Sequence, residues 1–147
     1  LVLVGLKNGQ EVLLPKTNKV IGIQRTKTPD ELVGLYSEAD VFINPTLEDN
    51  FPTTNIEALA CGTPVVTFRT GGSVEVITSE TGFAVDKGDM EGMLSALRTI
   101  LNNGKEHYID ACRKKAEREY NKDIQYGKYI ELFQQILSET NHGKTTF

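Results

Sequence analysis

Residues 39–77 read ADVFINPTLEDNFPTTNIEALACGTPVVTFRTGGSVEVI, and this stretch decides the fold. VFIN is a short apolar run followed by Pro45, EALA is good helix material stopped by Gly62, and PVVTF is a second buried-type strand. Gly71-Gly72 then turns the chain into a further short helix. The order is strand, loop, helix, strand, turn, helix. Between the first strand and the helix lies LEDNFPTTN (47–55), richer in polar groups than a connector needs to be. In parallel α/β folds such loops sit at the carboxyl ends of strands, where ligands bind. This loop is the candidate site.

Working outward, LVLVGL (1–6) and KVIGIQ (19–24) read as strands, with Asn8-Gly9 a turn and 10–17 ambiguous. Thr28-Pro29-Asp30-Glu31 is a helix start, with a threonine N-cap, proline at the first position and glutamate three residues after the cap. That helix ends near 37–39. Strands at 41–44, 64–68 and 81–85 alternate with helices at 53–61 and 73–78. Met90, Met93, Leu94, Leu97, Ile100 and Leu101 form an apolar stripe on the next helix. Two more helices are expected over 105–119 and 122–138, and NHGKTTF reads as a frayed tail. Alternating strands and helices predict one α/β domain with a doubly wound parallel sheet, Rossmann-like, plus extra C-terminal helices.

Composition narrows the function. The 147 residues suffice for one domain with a sizeable core. The net charge of −4 divides into 6 basic and 9 acidic residues in 1–75, and 10 and 11 in 76–147. Neither half is basic, so nucleic acid and anionic membrane faces are poor partners. Cys61 and Cys112 are too few for a disulfide framework and read as reduced thiols of a cytoplasmic protein. His107 and His142 are isolated, so no metal-ligand cluster is expected. There is no signal-peptide pattern and no apolar run near the ~18 residues of a membrane span. The sequence opens without methionine and straight into a strand, and so reads as a piece of a longer protein.

The loop has its own chemistry. Thr53 and Thr54 open a helix, so their N–H groups fall among its unsatisfied donors and suit a phosphate. Pro52 fixes the chain before them and Phe51 offers an apolar wall. Glu57, about one turn in, and Asp49, eight residues earlier, can accept hydrogen bonds from ligand hydroxyls. One phosphate seat flanked by two such carboxylates describes a nucleotide-sugar site. Thr54-x-x-Glu57 fits a helix capping box equally well, and Asp49 alone suits a solvated turn.

Residues 30–101 resemble the donor-binding lobe of retaining GT-B glycosyltransferases of the group 1, family 4 type, the group that includes sucrose synthase-like and lipopolysaccharide-type transferases. The match is carried by EL..LYSEADVFINP, EDNFPTTNIEALACGTPVVTF, TGGSVEVI, TGFAV and D..GMLSAL. That family places two glutamates with seven residues between them at the donor site. The second falls on Glu57, implying ribose binding. The first falls on Asp49, a methylene shorter, with Glu48 beside it. The resemblance implies donor-sugar contacts from Asp49, Asn50, Phe51 and Pro52, with Asp49 catalytic. It implies phosphate binding by Thr53 and Thr54, since Pro52 has no N–H. It also places Gln24, Arg25 and Thr26 near the nucleobase, although Arg25 reads equally well as a surface charge. Gly71-Gly72 matches a family turn beside the site, but a plain tight turn is the favoured reading. Glu75 reads as support for its own helix.

The resemblance further implies a metal-independent transfer of a hexose from a nucleotide diphosphate sugar to a hydroxyl acceptor, with no cofactor. The family's acceptor lobe and its arginine–lysine pair belong upstream, and neither is in this sequence. An isolated donor lobe without those cations is expected to be inactive. Cytoplasmic residence, with peripheral membrane association of the parent, is compatible. The last helices either close the domain or, as the resemblance allows, cross back to the other lobe, which would leave part of their apolar face exposed here. A dehydrogenase would want G-x-G-x-x-G after the first strand, which VGLKNGQ does not supply. A non-catalytic nucleotide-binding or interaction lobe and a nucleotide-sugar epimerase of the same fold are the remaining alternatives.

Overall fold

A computed structural model describes residues 1–142, with side chains through residue 139. Of the tail NHGKTTF, residues 143–147 therefore lie outside the described residues. The chain divides into two compact units, Leu1–Glu38 and Ala39–Phe147. All paired strands are parallel, as expected, and they form a two-stranded and a three-stranded sheet.

In the first unit β1 (Val2–Val4) pairs with β2 (Ile21–Ile23), Val2 opposite Ile21. β1 is shorter than LVLVGL suggests, because Gly5 takes φ 91 and turns the chain out of extended geometry. The ambiguous stretch contains a short 3-10 turn, Gln10–Leu13. α1 (Pro29–Glu38) starts where the capping signal places it. Thr28 Oγ1 accepts the Glu31 N–H at 3.2 Å, and Glu31 Oε2 reaches back to the Lys27 N–H at 2.6 Å.

The second unit is built on β3 (Phe42–Asn44), β4 (Val65–Phe68) and β5 (Gly82–Val85), in that spatial order. Parallel neighbours require crossovers, supplied by α2 (Thr53–Ala60) and α3 (Ser73–Val76). All four residues of β4 are buried, which is why PVVTF reads as a continuous apolar run rather than an alternating one. α4 (Met90–Asn103) is capped by Asp89, whose carboxylate accepts the Gly92 N–H at 2.8 Å. Its buried face is Met93, Ala96 and Ile100, narrower than the expected stripe: Met90, Leu94 and Leu101 are exposed. α5 (Glu106–Tyr120) packs on α2, and Tyr108, Cys112 and Ala116 are its buried apolar residues. Burial pushes the Cys112 thiol up to about 12, so it behaves as a small apolar group.

α6 (Lys122–His142) differs from the rest. Tyr126, Tyr129, Ile130, Phe133, Ile136 and Leu137 recur at helical spacing along one stripe, and each is at least 50% exposed. No described helix is long and apolar enough to cross a membrane.

Leu59 on α2 is fully buried. Leu59→Ala should cost about 2–5 kcal/mol of stability, read as a lower urea midpoint with an unchanged slope.

Candidate functional site

The Leu47–Asn55 loop leaves the carboxyl end of β3 and enters α2, while the turn Arg69–Gly72 leaves the adjacent β4. Two hydrogen bonds and two close approaches fasten the β3–α2 connection to the turn. Thr70 Oγ1 donates to the Thr46 carbonyl at 3.3 Å, and the Gly72 N–H donates to the Asn50 carbonyl at 2.7 Å. Gly71 takes φ 46, and a Cβ there would overlap the Asp49 carbonyl oxygen. A Cβ on Gly72 would meet the Phe51 ring and the Asn50 carbonyl. Gly71-Gly72 is therefore more than the plain tight turn favoured from sequence. Its missing side chains make room for the loop.

The α2 terminus settles one alternative. Its N-cap is Pro52, with no side-chain cap, so Thr53 and Thr54 are the first two helical residues. The capping box Thr54-x-x-Glu57 would need Thr54 outside the helix, and it does not form. Thr53 and Thr54 are exposed, with first-turn N–H groups that a helix cannot satisfy internally. Glu57 is exposed one turn further along. Asn55, missed by the sequence reading, is fully buried. Its Oδ1 accepts from Asn44 Nδ2 at 2.9 Å, and the Asn44 carbonyl accepts from Thr67 Oγ1 at 2.9 Å, tying α2 to β3 and β4. Asn55 Nδ2 and Ser73 Oγ are buried without a protein partner.

Asp49 is exposed, and its Oδ1 accepts the Phe51 N–H at 3.1 Å, an Asx turn within the loop. One carboxylate oxygen is thus engaged locally. Loop and turn border an open recess of about 440 Å³. Glu48, Asp49 and Asn50 line it from the β3 side, Arg69 and Thr70 from the end of β4, and Lys87 from beyond β5. Arg69 Nε lies 3.5 Å from Asp86 Oδ1, with side chains 58% and 86% exposed, so this ion pair is worth little. The sequence reading gave the site helix N–H groups and little else in the way of positive charge. The recess adds two cations. Their signal was their position one residue after PVVTF and two residues after GFAV, where ligand groups collect.

Gln24, Arg25 and Thr26 follow β2 in the first unit, with Gln24 and Arg25 exposed. Gln24 Nε2 donates to Glu11 Oε1, and that bond holds the Glu11 carboxyl below its ordinary range. No described group of three or more His, Cys, Asp or Glu residues is arranged to hold a metal ion.

A family model described as glycosyl transferases group 1 matches residues 1–103. The chain belongs to that family. Among curated relatives, the capsular polysaccharide biosynthesis glycosyltransferase CapM of Staphylococcus aureus is 26% identical over 132 residues, 88% of this chain and 34% of that protein. Sucrose-phosphate synthase from Thermosynechococcus elongatus superposes with a TM-score of 0.79 at 25% identity, over 94% of this chain and 38% of that one. Anabaena HepE, solved in complex with UDP-glucose, has a TM-score of 0.72 at 21% identity, over 91% of this chain and 40% of that one. These matches place the group 1 chain in the GT-B, Rossmann-like class. It spans about a third or less of the length of the curated relatives it matches.

The close approach at Gly72 is testable. Gly72→Ala should cost about 1–3 kcal/mol and lower the thermal midpoint. Gly127→Ala, helical and with open space around it, should leave the midpoint unchanged or raise it.

Proposed function

We propose that this group 1 chain is the donor-binding lobe of a retaining glycosyltransferase. The parent moves a hexose from a nucleotide diphosphate sugar to a hydroxyl acceptor, in polysaccharide, glycolipid or lipopolysaccharide synthesis. The observation that carries the reading is the uncapped N-terminus of α2. Thr53 and Thr54 offer backbone N–H groups and hydroxyls to the donor diphosphate. Glu57, exposed one turn into α2, binds the ribose hydroxyls. Asp49, Asn50 and Phe51 face the donor sugar, with Asp49 the catalytic carboxylate, whereas Pro52 is buried. Anion binding by a helix terminus needs no metal, so the donor is held without one, and no cofactor takes part.

Breaking the sugar–phosphate bond moves charge onto the leaving diphosphate, and preorganised donors lower that barrier most. The lobe supplies the α2 N–H groups. The acceptor comes from an N-terminal lobe of the parent and the arginine–lysine pair from parent sequence outside this chain, so the 147-residue chain alone binds nucleotide without turnover. The parent works in the cytoplasm, with peripheral attachment to a membrane where its acceptor is a lipid.

Calorimetric titration of the chain with UDP and with GDP tests this. Binding is expected in the micromolar-to-millimolar range, about −8 to −4 kcal/mol, unchanged by EDTA and weakened at least about tenfold, ~1.4 kcal/mol, in Glu57→Ala. No binding of either nucleotide would defeat the donor-lobe reading, and binding indifferent to Glu57→Ala would remove the ribose role.

One observation favours a second reading, a non-catalytic nucleotide-binding lobe: Asp49 is short and folded onto its own loop. In the full-length parent Asp49→Asn decides between them. The transferase reading expects turnover to fall about 100-fold or more, whereas unchanged turnover would assign Asp49 to the turn alone.

A further inference from the structure

Phe51 is 40% exposed, yet its ring is not free to wander. On one side Gly72 comes so close that a Cβ would collide with it. It also meets Tyr120, the last residue of α5, with ring centroids 6.1 Å apart and planes tilted by 55°. That is within the range of favourable aromatic pairs.

Tyr120 is itself fixed from several directions. Lys115, only 8% exposed, puts Nζ 6.0 Å from the Tyr120 ring centroid and 2.5 Å from Glu119 Oε2. A buried ammonium needs such a partner. Arg118 Nη2 holds the other Glu119 oxygen at 2.5 Å, and these two bonds keep that carboxyl below its ordinary range. Gln125 Nε2 of α6 donates to the Glu119 carbonyl. Asn121 Oδ1 caps α6 by accepting the N–H groups of Asp123 and Ile124 at 2.9 and 3.3 Å. The ring thus stands at the corner between α5 and α6, where the chain changes direction. Burial, reinforced by the charges of Glu119 and Glu75, pushes the Tyr120 hydroxyl up, so the ring stays neutral.

We propose that Tyr120 is a positioning residue for the donor loop: its ring, braced by Lys115 and Glu119, holds Phe51 and thereby sets the path of Asp49–Thr54 into α2. The role in nucleotide binding rests on the donor-lobe reading above, whereas the mechanical role does not. The loop is tied on its sheet side. Its carbonyls meet the β4–α3 turn, but on the α5 side the described ring contact is the one to Tyr120. Losing that contact frees Phe51 to swing away from Gly72. The N–H groups of Thr53 and Thr54 follow, since Pro52 alone separates them from the ring.

The test uses the 147-residue chain with Tyr120→Leu, which keeps apolar bulk, Tyr120→Phe, which keeps the ring, and Phe51→Leu alone and combined with Tyr120→Leu. Two quantities are read: amide hydrogen exchange of Phe51, Asn55 and Gly72, whose N–H groups are bonded to Asp49 Oδ1, the Pro52 carbonyl and the Asn50 carbonyl, and affinity for UDP and GDP by calorimetry. In Tyr120→Leu those amides should exchange about 3- to 10-fold faster, with β4 amides unchanged. Nucleotide affinity should fall by a similar factor. Tyr120→Phe should match the unmodified chain in both. The double variant should be no worse than Phe51→Leu, as for two residues acting through one contact. Loop exchange unaltered in Tyr120→Leu, acceleration shared equally by β4, or a Tyr120→Phe variant as impaired as Tyr120→Leu would each overturn the proposal. A chain that binds no nucleotide would defeat the donor-lobe reading, and the exchange rates would still decide whether Tyr120 positions the loop.

Discussion

β4 pairs with a parallel strand on both edges, Val65 opposite Phe42 on one side and opposite Gly82 on the other. None of its residues reaches solvent. α2, α3 and α4 all pack on it. This two-sided burial sets the level at which β3, β4 and β5 end. Because parallel strands finish on one side, the loops that leave them are gathered there by construction. The recess, the α2 terminus and the two cations beyond β4 and β5 share a neighbourhood for that reason.

Position is refined by backbone rather than by side chains. The carbonyls of Asp49 and Asn50 occupy the space that side chains at 71 and 72 would fill. Backbone packed on backbone leaves little slack, and it turns the loop's polar groups outward. Asn55 then locks the first turn of α2 to Asn44, from inside the fold. The site is stiff on its sheet side and depends on α5 for its other flank.

Much of this was legible in the sequence. The strands at 42–44, 65–68 and 82–85 announced themselves by apolar runs between turn residues, and α1 by its cap. The loop stood out because its composition exceeded what a connection requires. Other features were hidden for physical reasons. Gly71-Gly72 looks the same whether it merely turns or makes room for another segment, since glycine records only that a side chain is missing. Arg69 and Lys87 are ordinary surface charges until the strand order brings them to one recess. Phe51 and Tyr120 are separated by nearly half the chain, so no local pattern links them. The division into two units also left no mark in composition or linker chemistry.

α6 carries a consequence beyond the site. Its apolar stripe runs for about three turns in the open, and soluble proteins seldom leave so much contiguous apolar surface uncovered. To the chaperones and proteases of a cell, which sort molecules by exposed apolar side chains, such a stripe resembles an unfolded segment even when the sheet beneath it is intact. Whether this chain persists or is cleared therefore depends on what covers that helix as much as on the strength of its core.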